Sequence, residues 1–157
     1  MSQPTRLTGA QETSLAIAAA VVTANAYYIH PIIAEVADYF GVSHSRIGLV
    51  PALNQIALAV GIFLLLPLGD RISNRRLTIT FAAGQTASIA LMAIAQGFTL
   101  FVIGSTMLGF FTIAPYLLPA YASKRVAPER LGQVTAKLAA GVILGILVAR
   151  VGAGVVA

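Results

Sequence analysis

The sequence predicts an all-α integral membrane protein that crosses the bilayer five times. Of its 157 residues, 58% are hydrophobic and only 10% are charged, and the mean hydropathy is +0.88. A soluble domain carries about 25% charged residues, because its surface must be polar. The apolar residues also occur in runs of about 20, the length that an α-helix needs to cross a hydrocarbon core of about 30 Å.

Short polar segments separate these apolar runs and set the predicted boundaries. The predicted spans are at about residues 14–34, 47–68, 77–95, 98–121 and 134–155. Residues 1–13 form a polar tail, and residues 14–157 form one transmembrane bundle. The first run is too long for a cleaved signal peptide and lacks its small-residue exit, so we expect this span to be retained.

The charged residues follow a membrane topology. The basic residues that fall on one side of the five-span arrangement are Arg6, Arg71, Arg75, Arg76, Lys124, Arg125, Arg130 and Lys137. The opposite loops hold only Arg46, together with Glu35 and Asp38. The positive-inside rule therefore predicts a cytoplasmic amino terminus in a bacterial inner membrane. The net charge of +5 follows from this topology, so no nucleic-acid partner is expected.

The residues give no pattern typical of an enzyme, a metal site or a cofactor site. Cysteine is absent, which excludes thiolate ligands and cysteine nucleophiles. His30 and His44 have no second metal ligand at helical spacing, and no glycine-rich phosphate loop follows a strand. We therefore expect neither catalysis nor a bound cofactor.

The loop after the second run carries a recognisable motif, Leu-Pro-Leu-Gly-Asp-Arg-Ile-Ser-Asn-Arg-Arg, over residues 66–76. It resembles the cytoplasmic signature G-x-L-A-D-R-x-G-R-K/R between the second and third helices of the major facilitator superfamily. Asp70, Arg71 and Arg75 match the charged positions, whereas Ser73 stands where glycine is usual. The resemblance implies that these charges lock or release one helix bundle against another. The alternative is a solvated basic turn without a gating role.

A second motif lies after the fourth run, where residues 127–133 read Ala-Pro-Glu-Arg-Leu-Gly-Gln. It resembles the P-x-E-R-x-G loop of the same superfamily, whose members have twelve helices in two six-helix halves. The resemblance implies an incomplete amino-terminal half of a secondary transporter for a small solute, with a proton among the candidate coupling ions. The missing carboxy-terminal half would then be its partner, and the chain would be inactive alone. The alternative function is a membrane scaffold or assembly module without transport.

Polar residues within the spans are candidates for a solute cavity, because polar groups in hydrocarbon are costly unless they are paired or face water. In the first span Asn25, Tyr28 and Ile32 share one helical face, next to the helix-bending Pro31. In the fourth span Ser105, Gly109, Thr112 and Tyr116 share a stripe. The candidate cavity residues are Asn25, Tyr28, Asn54, Thr112, Tyr116 and Arg150. Interhelical hydrogen bonds and an interfacial tyrosine belt are the alternatives.

Arg150 is the ionisable residue that lies deepest in a span, where it costs about 2.5 to 3.5 kcal/mol on insertion scales. Its height in the fifth span predicts that it points toward Tyr28, His30 or Glu35 of the first span. There it would attract an anionic solute group or a coupling carboxylate. The alternative is an anchor that reaches the external headgroups.

Overall fold

The computed structural model describes residues 7–156, except for the side chains of Asp70 and Val156. These residues form eight α-helices and one short 3-10 helix, and they contain no β-strand. The α-helices are α1 (Gly9–Tyr27), α2 (Ile33–Phe40), α3 (His44–Ile47), α4 (Leu49–Leu65), α5 (Asn74–Ala93), α6 (Phe98–Phe111), α7 (Ala114–Ser123) and α8 (Pro128–Val156). The 3-10 helix, Leu66–Asp70, follows α4.

Helix α1 begins inside the predicted polar tail, of which residues 1–6 lie outside the described part. A capping box explains the early start. The Thr8 hydroxyl accepts a hydrogen bond from the Gln11 backbone N–H, and Gln11 Oε1 accepts one from the Thr8 N–H. These two bonds satisfy backbone donors that an α-helix leaves unpaired at its start.

The first predicted span contains a break between α1 and α2, at residues 28–32. Pro31 cannot donate a backbone hydrogen bond, and the His30 N–H bonds the Tyr27 carbonyl in a tight turn. The chain then continues as α2, so the exit loop expected from Glu35 onward is helical as far as Phe40.

The fourth predicted span is broken in the same manner, between α6 and α7 at Thr112 and Ile113. Pro115 lies in the first turn of α7, so the regular ladder cannot pass this point. The Thr112 N–H bonds the Gly109 carbonyl instead, at 3.1 Å. Two of the predicted spans are therefore pairs of helices.

Glycines allow the helices to pack closely. Gly141 and Gly145 of α8 lie against the backbone carbonyls of Ala16 and Ala20 in α1, leaving no room for a Cβ atom. The two helices run parallel, as the small-xxx-small spacing permits. Gly109 of α6 lies in the same way against the backbone of α4, and the turn at residues 94–97 joins α5 and α6 as an antiparallel hairpin.

Three helical segments in the described part are long and apolar enough to cross a membrane, His44–Gly69, Phe98–Ser123 and Pro128–Val155. They carry many exposed apolar side chains, such as Phe63 at 79% and Leu147 at 55%. The first and third predicted spans are not among the three. The break at Pro31 divides the first, and α5 begins with two arginines. The described part of the chain is thus all-helical, with three segments suited to cross a membrane, and the count of five stays a prediction.

Candidate functional site

The two helix breaks lie next to each other and bring aromatic side chains together. Tyr27, the last residue of α1, stacks on His30 with ring centroids 5.2 Å apart and an interplanar angle of 25°. The phenol group of Tyr27 is also close enough to that of Tyr116 in α7 for the two to interact electrostatically. The end of α1 and the start of α7 therefore converge, and both helices present polar rings at that point.

Arg150 of α8 reaches the same region. Its guanidinium is close enough to the His30 imidazole, at the first break, for the two to interact electrostatically. We call the four side chains Tyr27, His30, Tyr116 and Arg150 the break cluster. It contains one fixed positive charge, one imidazole and two phenol groups. Such a set can donate several hydrogen bonds to a negatively charged group.

A hydrogen-bond network centred on Gln85 supports the cluster. Gln85 Nε2 donates to the Val22 carbonyl of α1 at 3.0 Å and to the hydroxyl of Thr112, the residue after α6, at 2.9 Å. Asn25 Nδ2 donates to Gln85 Oε1 at 3.3 Å. Gln85 is 4% exposed, so this network joins three helices inside the bundle. It holds α1 and α6 beside the points where each helix breaks.

Thr112 makes a second hydrogen bond, so its buried hydroxyl is fully paired. Its hydroxyl donates to the Leu108 carbonyl at 2.7 Å while accepting from Gln85. The side chain is 2% exposed and lies at the α6–α7 break. Thr112 and Asn25 therefore belong to the support of the cluster, and both were expected at the cavity from the sequence.

Asn54 lies in a different place. Its Nδ2 atom donates to the Ser105 carbonyl at 2.7 Å, and the residue is 1% exposed in the α4–α6 interface. Asn54 Oδ1 and the Ser105 hydroxyl are buried without a hydrogen-bond partner. The structure thus brings Asn54 and Ser105 together, but apart from any open surface.

Of the residues predicted for the cavity, the two tyrosines are accessible. Tyr28 is 44% exposed and Tyr116 is 45% exposed. Because the backbone turns at Tyr28, the common face predicted for Asn25, Tyr28 and Ile32 does not continue through the break. The stripe on the fourth span also divides, with Ser105, Gly109 and Thr112 buried and Tyr116 open.

The two loops that resemble family motifs approach each other at the opposite end of α1. A cavity of about 690 Å³ is lined by Arg75 from the first motif and by Lys124 and Arg125, which directly precede the second. The Arg125 guanidinium lies 4.0 Å from the ring centroid of Tyr121, a cation–π contact. Arg71 is exposed at this end, and the side chain of Asp70 lies outside the described set. The basic loops are therefore neighbours in space.

Sequence reasoning missed three residues of these sites. Gln85 is a polar residue in the third apolar run, and the cost of an unpaired amide in hydrocarbon is the signal that could have identified it. Tyr27 lies outside the helical face predicted for Asn25, Tyr28 and Ile32. Glu12 was placed in the polar tail, whereas it is 5% exposed and pairs with Arg130. Over the described residues, no group of three or more metal-ligating side chains is present.

The comparisons with known proteins agree with the motifs. The family model described as Major Facilitator Superfamily matches residues 15–157. A "Putative uncharacterized transporter YgaY" of Escherichia coli (strain K12) is 29% identical over 127 residues, and the "Uncharacterized transporter YgaY" of Escherichia coli O157:H7 is equally similar. Each alignment covers 81% of this chain but 32% of the relative. The chain thus spans about a third of the length of these curated relatives. No solved structure matches it significantly.

Proposed function

Because this chain belongs to the Major Facilitator Superfamily, we propose that it is the amino-terminal part of a secondary active transporter for a small solute. It is a multi-pass membrane protein of an established transporter family. In the proposed protein its helices form five spans of a six-helix bundle, with α1 and α2 as one span and α6 and α7 as another. A second bundle, from the carboxy-terminal half, is the partner.

The observation that carries this proposal is the break cluster. Interrupted helices in a membrane are tolerated where the freed backbone groups are buried in protein or line a cavity. In transporters, such breaks near the bilayer midplane form solute and ion sites. Here two breaks meet beside Arg150 of α8, Tyr116 at one of them is exposed, and a buried amide network holds them in place. This arrangement favours a solute site over a bundle that serves packing alone.

A single bundle cannot carry out alternating access, because the site must be exposed in turn to each side between two moving bodies. The chain alone is therefore proposed to be inactive. In the complete protein, Asp70, Arg71 and Arg75 would contact the second bundle and stabilise one of the two states. A proton is a candidate coupling ion.

The proposed location is a bacterial inner membrane with the basic loops in the cytoplasm. Arg75, Lys124 and Arg125 lie around one cavity at that end. Lys and Arg near span ends are retained on the cytoplasmic side during insertion. The amino terminus, beside α1, is then cytoplasmic as well.

A flux measurement with a mixture of solutes tests the function. Proteoliposomes with this chain alone are compared with proteoliposomes that hold it joined to its second bundle, both supplied with a uniformly ¹³C-labelled metabolite extract. Mass spectrometry of the lumen is expected to show saturable uptake of one or a few solutes by the complete protein only. Saturable uptake by the chain alone would overturn the need for a partner bundle. No uptake by either protein, with or without a proton gradient, would contradict transport and favour the scaffold.

A further inference from the structure

We propose that the break cluster binds an oxyanion group, a carboxylate or a phosphate, of a small solute, with Arg150 as its charged anchor. This inference rests on the proposed function, because it assigns the substrate class of the same site. It depends on the position of Arg150, on the absence of a carboxylate beside it among the described side chains, and on the donors that surround it.

The packing of α8 on α1 fixes the height of Arg150. Gly145 lies against the Ala20 carbonyl, and further along a Cβ atom on Gly154 would lie 4.0 Å from the Pro31 Cβ. Arg150 lies between these two contacts, so its backbone is level with the end of α1. It follows the partly buried Val142 and Ile146 along one flank of α8, at four-residue spacing, and is itself exposed. This flank borders the stripe that packs on α1, so the guanidinium stands at the edge of the interface.

The charge of Arg150 lacks a carboxylate partner in the described part of the chain, where the ion pair found joins Arg130 to Glu12. Glu35, which the sequence suggested as a partner, lines a separate cavity of about 360 Å³ with Tyr39 and Met92. An arginine inside a span is costly unless an anion or water reaches it. A guanidinium presents N–H donors in a planar fork that matches the two oxygens of a carboxylate or phosphate. A bound oxyanion would therefore supply the missing charge.

The neighbours of Arg150 are suited to the same ligand. His30 Nε2 is buried without a hydrogen-bond partner, so the imidazole has an unused polar atom at the cluster. The phenol groups of Tyr27 and Tyr116 can each donate one hydrogen bond. Tyr116 is 45% exposed, which leaves the cluster open to a solute. One fixed cation, one imidazole and two phenol groups favour an anion over a cation.

Histidine NMR tests this site directly, because the chain contains only His30 and His44. The chain is labelled with ¹³C-histidine and held in maltoside micelles without phospholipid. Succinate, inorganic phosphate and the neutral control glycerol are titrated separately. We expect succinate or phosphate to shift the His30 signal saturably and to leave His44 unchanged, and glycerol to shift neither. His44→Asn assigns the two signals.

Two arginine variants test whether anion binding depends on Arg150 itself or only on the net charge of the chain. Arg150→Gln should weaken the anion titration at least about tenfold, as expected for a lost charge-assisted hydrogen bond. Arg46→Gln is the matched control, because Arg46 lies over the Phe98 ring, near the start of α4, and should leave the titration unchanged. An undiminished titration in Arg150→Gln, or no His30 shift with either anion, would overturn the proposal.

A lipid titration shows whether the anion is a solute or a lipid headgroup. Comparison with the uptake measurement tests the anion site and the transport function separately. A His30 shift with phosphatidylglycerol but with neither soluble anion would make Arg150 a headgroup anchor and overturn the solute site. Uptake by the complete protein confined to neutral or cationic solutes would overturn the anion assignment while leaving transport intact. A saturable, Arg150-dependent shift without any uptake would support the anion site and contradict transport.

Discussion

Arg130 Nη2 donates a 2.9 Å hydrogen bond to the Glu12 carboxylate and so joins the first turn of α8 to the first turn of α1. The Glu12 side chain is 6% exposed and the Arg130 side chain is 52% exposed. The pair is therefore protected from solvent on one side only. Lys137 adds a second link by donating to the Thr13 hydroxyl at 2.8 Å. Arg130 belongs to the loop that resembles P-x-E-R-x-G, so this motif arginine links α8 to α1.

Replacement of Glu12 by Gln should destabilise the bundle. The variant keeps the size of the side chain but removes a nearly buried charge from Arg130 and from the positive end of α1. Because Arg130 is half exposed, we expect a loss of about 1 kcal/mol, well below that of a fully buried pair. Thermal unfolding in detergent, followed by circular dichroism, measures it. Glu129→Gln removes an exposed carboxylate from the first turn of α8, and an equal loss in that variant would contradict the role of the pair.

Replacement of Gly145 by Val should separate α8 from α1. A Cβ atom at this position meets the Ala20 carbonyl, so the helices must move apart. Overpacking of this kind costs about 1 to 3 kcal/mol. The melting temperature in detergent should fall accordingly. Gly152→Val is the matched control, since a Cβ atom there meets nothing within 4 Å. A melting temperature that falls no further for Gly145→Val than for Gly152→Val would contradict the close contact.

Replacement of Gln85 by Met should weaken the junction of three helices. It removes the bonds to the Val22 carbonyl and the Thr112 hydroxyl while conserving side-chain length. Interhelical hydrogen bonds in membranes contribute about 0.6 kcal/mol each, so we expect a loss of about 1 kcal/mol. Gln96→Met, in the exposed turn before α6, should have no effect. Equal stability of the Gln85 and Gln96 variants in thermal unfolding would contradict the network.

The sequence predicted much of this fold because the signals are local. The apolar runs indicated membrane helices, and Pro31 indicated a bend. Which helices meet is set by tertiary packing, and local pattern does not encode it. Asn54 and Thr112 both looked suited to a cavity, yet one lies in a helix interface and the other in the Gln85 network. The convergence of Tyr27 and Tyr116 needed the structure, since nearly 90 residues separate them along the chain.

The orientation of the chain is open to a labelling experiment, because the sequence has no cysteine. Ser45→Cys and Ser73→Cys each introduce one thiol at an exposed, neutral position at opposite ends of the bundle. A membrane-impermeant maleimide added to intact cells should label the Ser45 variant only. The Ser73 variant should react after permeabilisation, because the basic loops are proposed to be cytoplasmic. The reverse pattern would contradict that orientation.

The break between α1 and α2 is expected to depend on Pro31. Replacement by Ala restores a backbone N–H, whose partner in a continuous helix is the Tyr27 carbonyl, four residues earlier. Proline inside a helix costs about 3 kcal/mol, so its removal favours a straight helix. Spin labels at Ser14 and Asp38, both exposed, report the change as a distance in electron resonance. A continuous helix places these positions about 36 Å apart, and we expect Pro31→Ala to move the distance toward that value.

The control for this measurement is Pro128→Ala, which changes a proline at the first position of α8. A backbone donor there has no partner within the helix, so the distance should stay as in the parent chain. An unchanged distance in Pro31→Ala would show that packing of α2 against the α5–α6 hairpin, through residues such as Phe40 and Phe101, sets the break instead. A longer distance should also move Tyr27 away from Tyr116. In the complete protein, solute uptake should then fall even though Arg150 is intact, since the break cluster would no longer be assembled.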